Sequence, residues 1–217
     1  MASEQVENYL KNIYKLQSDD KKVTTSSLSE KLNISAASVS EMIKKLSDEG
    51  SLTHTPYKGV ELTTAGKRQA LKILRKHRLW EMFLVDVLHF QWDEIDEEAE
   101  RFEHIMSKKM EDKIDEVLGY PTVDPHGDPI PTKEGAIKYL LCFPLSEAKE
   151  GATVRVLRVS DASTDLLKYA ASIGIALNKK LTVKQKMKFD NSLIVKIGTK
   201  ETTLSAVVAE NIFVEDV

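Results

Sequence analysis

Apolar residues recur at helical spacing from the start of the chain. Val6, Tyr9, Leu10, Ile13 and Leu16 share one face of a helix over 5–16, which stops before the polar run Ser18-Asp19-Asp20. Two shorter helical patterns follow: Ser26 to Leu32 turns Leu28 and Leu32 inward, Asn33-Ile34-Ser35 makes a turn, and the next helix carries Val39, Met42, Ile43 and Leu46 and ends near Gly50. This is a helix-turn-helix pattern. Ser51 to His54 and Val60 to Leu62 then alternate about the turn residues Tyr57-Lys58-Gly59, so a small hairpin follows at once and the whole reads as a winged helix.

Two longer stripes come next. Ala65, Leu71, Leu74, Leu79, Phe83 and Leu88 mark a helix over 64–90, and a second helix over 93–118 is ended by Gly119-Tyr120-Pro121. Two such helices offer a dimer interface. Pro121, Pro125, Gly127, Pro129 and Pro131 exclude helix and predict a structured loop. A helix over 133–142 precedes a break at Phe143-Pro144. Alternating runs at 153–159, 180–184, 193–197, 203–208 and 212–214, with one helix near 164–172, then predict a small β-barrel of the SH3 sort. The expected fold is mainly α with a β C-terminal domain, in three parts: a winged helix-turn-helix (1–74), a helical domain (75–142) and an SH3-like domain (143–217).

At 217 residues, 41% apolar and 30% charged, the chain has the composition of a soluble protein of two or three small domains. Its first residues, MASEQVENYL, do not form a basic, apolar signal peptide, and no run of about 18 apolar residues occurs; the expected location is the cytoplasm, with no membrane partner. Cys142 is the sole cysteine, so neither an internal disulfide nor a cysteine-rich zinc site is possible and any metal must be held by oxygen and nitrogen. The net charge of -3 hides a segregation: residues 75–142 carry 9 basic against 16 acidic side chains, while 1–74 and 143–217 each carry 11 against 9. A middle segment with that excess repels DNA phosphates or gathers cations, or is simply a solvated acidic helix face, whereas the first could approach nucleic acid through a local basic face.

The second helix of the helix-turn-helix opens with Ser35, Ala36, Ala37, Ser38, Val39 and Ser40, small residues that let backbone approach phosphates while hydroxyls donate to them or to base edges. Ser35 and its neighbours equally suit N-capping. Lys44, Lys45 and the wing residue Lys58 are the candidate phosphate neutralisers, and Glu41 is a candidate acceptor from a cytosine amino group or a helix cap. Further on, Glu100, Glu103 and His104 stand at i, i+3 and i+4, on one face of a helix, and His77 and Glu81 repeat the i, i+4 spacing on the helix before. Packed together, two such helices present imidazoles and carboxylates to one or two divalent ions, a donor set that suits Mn²⁺ or Fe²⁺ at least as well as zinc. His54 and His89 read as surface residues of wing and helix.

The chain resembles the diphtheria-toxin-repressor family of iron- and manganese-dependent regulators. The resemblance runs through Glu7-Asn8-Tyr9-Leu10 and Ile13-Tyr14, Ser35 to Ser40, Leu62-Thr63-Thr64-Ala65-Gly66, Arg75-Lys76-His77-Arg78-Leu79, Glu100-Arg101-Phe102-Glu103-His104 and Pro125-His126-Gly127-Asp128-Pro129-Ile130-Pro131; the tail from Pro144 is similar to the family's SH3-like, ferrous-transport-type domain. It implies a primary metal site of His77, Glu100, Glu103 and His104 closed by Asn8, and a second ion held by Glu81, Asp124, His126 and Asp161. Glu100 stands where iron-responsive members have Cys and manganese-responsive members have Glu, a hard ligand that points to manganese. Asn8 departs from both the Met and the Asp of those branches.

The function implied is a metal-activated regulator, a repressor of metal-uptake genes, that binds operator DNA as a homodimer through 75–142. Two rivals are set against it. A carboxylate-bridged metal hydrolase or oxidase lacks its H-E-x-x-H motif, and Arg101 breaks the paired Glu-x-x-His pattern. A winged-helix regulator answering to an organic ligand or a protein contact would make the acidic cluster merely structural.

Overall fold

The computed structural model describes residues 3–18, 22–55 and 59–217, and these form two compact units. The first comprises residues up to Arg78 together with 100–111 and 131–137. It opens with α1 (Glu4–Ser18), α2 (Thr25–Leu32) and α3 (Ala36–Asp48), followed by a hairpin of β1 (Leu52–Thr55) and β2 (Gly59–Leu62) in register Leu52↔Leu62. Local chemistry sets these boundaries. Thr24 and Ser27 cap α2 reciprocally, Asn33 ends it in the left-handed conformation at φ 52°, and Ser35 caps α3 by accepting the N–H of Ser38. Tyr9, Leu10, Ile13, Leu28, Val39, Ile43, Leu46 and Leu74 form the shared core, so the polar face of α3 is left outward.

The long helix α4 (Thr64–Asp86) starts where Thr63 accepts the N–H of Gly66 and donates to the carbonyl of Gly50. A Cβ on Gly66 would lie 1.8 Å from the Ser51 carbonyl oxygen, which is backbone and cannot yield cheaply. Gly66→Ala is therefore expected to destabilise the first unit by about 2 kcal/mol or more, seen as a lower chemical-denaturation midpoint. An unchanged midpoint would contradict this packing.

The second unit contains residues 79–99, 112–130 and 138–217. Its sheet has six antiparallel strands, β3 (Phe143–Pro144), β4 (Thr153–Val159), β5 (Lys180–Lys186), β6 (Leu193–Ile197), β7 (Lys200–Leu204) and β8 (Ile212–Asp216), in the order β3-β8-β4-β5-β6-β7. Alternation turns Val154, Val156, Leu181, Val183, Leu193, Val195, Ile212 and Val214 into one core, with bulges in β4 and β5.

Four sequence expectations are corrected. The helix expected over 64–90 ends at Asp86, because His89 turns left-handed at φ 60° and the chain closes with Phe90 N–H on the Leu84 carbonyl. The helix expected over 93–118 is two, α5 (Asp96–Glu103) and α6 (Lys108–Val117), since the Ser107 hydroxyl accepts the N–H of Met110 and starts a new helix. The helix expected over 133–142 is absent: Thr132 closes a turn on Gly135 and Ala136, with Gly135 at φ 82°. The strand expected over 203–208 stops at Leu204, where Ser205 caps the short helix α8 (Ala206–Glu210). The other sheet expectations and the helix near 164–172, α7 (Thr164–Ser172), lie where alternation put them. No described helix is long and apolar enough to cross a membrane.

Candidate metal centre and nucleic-acid interface

Within the first unit, α4 and α5 bring His77, Glu100 and Glu103 together, with one donor atom from each inside a 4.8 Å span. Glu103 is fully buried and is the hub: one oxygen accepts from His77 Nδ1 at 2.6 Å and the other from Lys11 Nζ at 2.6 Å. His104, just past the end of α5, joins at 3.3 Å from Nε2 to Glu103 Oε1. Burial works to raise the Glu103 carboxyl, but the hydrogen bond and charge of His77, then those of Lys11, outweigh it and hold the group below the ordinary carboxylate range. The carboxylate is thus kept ionised, as a metal ligand must be.

Helix α1 supplies three side chains rather than the one expected. Asn8 faces in with Oδ1 buried and, among the described residues, without a hydrogen-bond partner. Glu7 Oε2 accepts from His104 Nδ1 at 2.7 Å. With a carboxylate oxygen as its partner Nδ1 is the donor, which leaves Nε2 as the nitrogen facing the cluster, buried with no hydrogen-bond partner among the described residues. Lys11, only 2% exposed, reaches both Glu100 Oε2 at 2.5 Å and Glu103 Oε1 at 2.6 Å. Glu7 and Lys11 were missed because each alone resembles helix-surface charge; their i, i+4 spacing astride Asn8 was the available signal.

The second cluster lies in the second unit. Glu81, Asp124 and His126, all buried, place one donor atom each within 4.8 Å. The proline-rich loop is structured as expected: Asp124 Oδ1 accepts the N–H of His126 and of Asp128, each at 2.9 Å, and Val159 N–H binds the His126 carbonyl. His126 Nε2 is 2.7 Å from the Trp92 carbonyl, which can only accept, so the ring lone pair is on Nδ1, 3.8 Å from Glu81 Oε1 and without a hydrogen-bond partner among the described residues. Burial pushes the His126 pKa down, yet the charges of Glu81 and Asp124, the Trp92 carbonyl and Asp161 together raise it. The field favours a positive charge at this ring. Asp161 acts through that field but is outside the 4.8 Å group.

Both clusters fit a hard divalent cation. Each offers carboxylates and a buried imidazole nitrogen that lacks a hydrogen-bond partner among the described residues, an arrangement that is costly unless a cation completes it.

On the outer face of α3, Ser35, Ala36, Ala37, Ser38, Ser40, Glu41, Lys44 and Lys45 are all exposed. Ser35 acts as the N-cap, whereas Glu41 stands too far into the helix to cap it. Ser40 and Lys44 share a recess of about 340 Å³ with His54 of β1, so that histidine borders the same face. Lys58 lies outside the described residues. His89 is exposed, in the turn after α4.

A winged helix whose first helix closes over a carboxylate-imidazole cluster defines a metal-controlled DNA-binding protein. Residues 1–60 match the family described as the iron dependent repressor, N-terminal DNA binding domain, 63–132 its metal binding and dimerisation domain, and 143–216 the FeoA domain. The iron-dependent repressor IdeR of Mycobacterium leprae is 31% identical over 97% of this chain and 96% of its own. A manganese-dependent transcriptional repressor solved in complex with manganese is 38% identical, covers 98% of this chain and all of its own, and superposes with a TM-score of 0.91. The manganese regulator SloR is 33% identical over 98% of both chains, with a TM-score of 0.81. This chain belongs to the iron-dependent repressor family. It is a metal-dependent transcriptional repressor that binds operator DNA as a dimer, with an SH3-like FeoA domain at its end, and is not an enzyme.

Proposed function

We propose that this repressor is activated by Mn²⁺ in preference to Fe²⁺, acts in the cytoplasm and silences metal-uptake genes. His77, Glu100, Glu103 and His104, with the Asn8 amide oxygen, hold the primary ion; Glu81, Asp124 and His126, with Asp161 adding charge, hold the second. The observation that carries the reading is the donor set of both clusters: among the described residues every candidate ligand is a carboxylate, an imidazole or an amide oxygen. The working division is 1–74 for DNA, 75–142 for metal and dimerisation and 143–217 for the SH3-like domain.

A bound ion would supply positive charge between α1 and α5. Glu7 holds His104 in the ligating tautomer, Asn8 links the DNA-binding helices to the cluster, and Glu103 orients His77. Setting the position of α1 sets that of the helices packed on it, and so the spacing of two α3 helices across a dimer. Moving such an equilibrium from 1:99 to 99:1 takes about 5.5 kcal/mol of differential binding, within reach of several charged ligands acting together. Ser35, Ala36, Ala37, Ser38, Ser40 and Glu41 then face the groove, while Lys44, Lys45 and the wing's Lys58 neutralise phosphates.

Titration of Mn²⁺ and, without oxygen, Fe²⁺ into metal-free protein, read by operator binding at fixed salt, tests this reading. Mn²⁺ should act at the lower free concentration. Activation by Fe²⁺ at lower concentration would overturn the manganese preference, and indifference to both ions would overturn the proposed sites.

A further inference from the structure

We propose that Lys11 is a built-in counter-cation of the primary site, which an incoming divalent ion must displace. The inference rests on the reading of Glu100 and Glu103 as ligands. Its observation is that the Lys11 ammonium lies 2.5 Å from Glu100 Oε2 and 2.6 Å from Glu103 Oε1 with the side chain 2% exposed. Both carboxylates belong to the cluster in which one donor atom each from His77, Glu100 and Glu103 lies within 4.8 Å of the others. Ammonium and metal ion cannot both occupy it: two cations that close, away from water, repel strongly.

The arrangement has two consequences. A buried carboxylate left alone is expensive, so Lys11 keeps the metal-free site folded, tying α1 to α5 before any ion arrives. It also sets a threshold. A monovalent ion exchanging for an ammonium brings no additional charge to Glu100 and Glu103, whereas a divalent ion adds one, so the exchange selects against the abundant monovalent ions. Asn8 stands three residues before Lys11 on the same face of α1. Metal entry thus replaces one tether from α1, through Lys11, by another through Asn8, and the helix is repositioned rather than caught from free motion.

Calorimetric titration of Mn²⁺ into the metal-free full-length protein, its Lys11→Met variant and its Glu103→Gln variant tests this. Lys11→Met should bind Mn²⁺ roughly tenfold or more tightly at the site that Glu103→Gln loses, since no ammonium need be expelled. Equal or weaker binding by Lys11→Met, with Glu103→Gln still losing the site, would overturn the displacement and leave the site assignment standing. If Glu103→Gln titrates like the unaltered protein, the site assignment itself falls. Should Lys11→Met fail to fold, amine acetylation of the unaltered protein, read by mass spectrometry, gives the answer. Lys11 should be protected without Mn²⁺ and reactive with it; protection unchanged by saturating Mn²⁺ would overturn the proposal.

Discussion

Glu103→Ala is expected to abolish metal-dependent operator binding: with saturating Mn²⁺ the variant should bind DNA no better than metal-free protein. Glu103 is fully buried and joins His77, Lys11 and His104, three neighbours drawn from α4, α1 and the end of α5. Losing an outer-sphere partner of a metal ligand already costs about 10–100-fold in affinity, so loss of the hub carboxylate should cost at least a hundredfold. Stability should fall as well, by about 3 kcal/mol, because Lys11 and His77 are left buried with fewer acceptors. Glu103→Gln separates the two effects, keeping the shape and an acceptor oxygen while removing the charge. Metal-stimulated binding retained in Glu103→Gln would show that the carboxylate charge is not what holds the ion.

The second large effect is expected at Gly127. It sits at φ 92°, and a Cβ there would lie 2.0 Å from the Leu157 carbonyl oxygen and 2.8 Å from Arg158 Cα. Neither obstacle is a mobile side chain. Gly127→Ala should therefore cost about 3 kcal/mol, from left-handed strain plus the clash, and should lower the unfolding temperature of the second unit. It should also remove Mn²⁺ binding at the Glu81, Asp124 and His126 cluster, because the hydrogen bonds that set Asp124 and His126 belong to the same loop. Titration of the variant should leave the primary site alone. Unaltered stability and stoichiometry would contradict this packing of the loop.

Much of this was legible in the spacing of residues. Glu100, Glu103 and His104 are separated by three and one positions on a helix, which is enough to predict convergence, and Ser35 sits where capping chemistry demands. What spacing could not convey was competition between local and long-range terms. Ser107 interrupts an apolar stripe that is continuous by period, and Gly135 with Thr132 wins over a helical pattern that runs on to Cys142. Glu7 and Lys11 illustrate the same limit at the site. A glutamate and a lysine one turn apart on α1 look like an ordinary surface pair, and only α5, some ninety residues on, recruits them inward. Resemblance to relatives, carried over through Asn8 alone, understated how firmly α1 is attached.

An ion at the α1–α5 site should reposition the recognition helices of a dimer. Pulsed EPR measures that directly, with one spin label per protomer at exposed Lys31→Cys near the end of α2, and Cys142→Ser to keep labelling unique. Mn²⁺ is paramagnetic and cannot be used as a silent ion in this measurement, so diamagnetic Cd²⁺ takes its place. The expected result is an interprotomer distance distribution whose maximum moves when the ion is added, and does not move in Glu103→Ala. Identical distributions with and without metal, in protein shown by calorimetry to have bound it, would contradict the account.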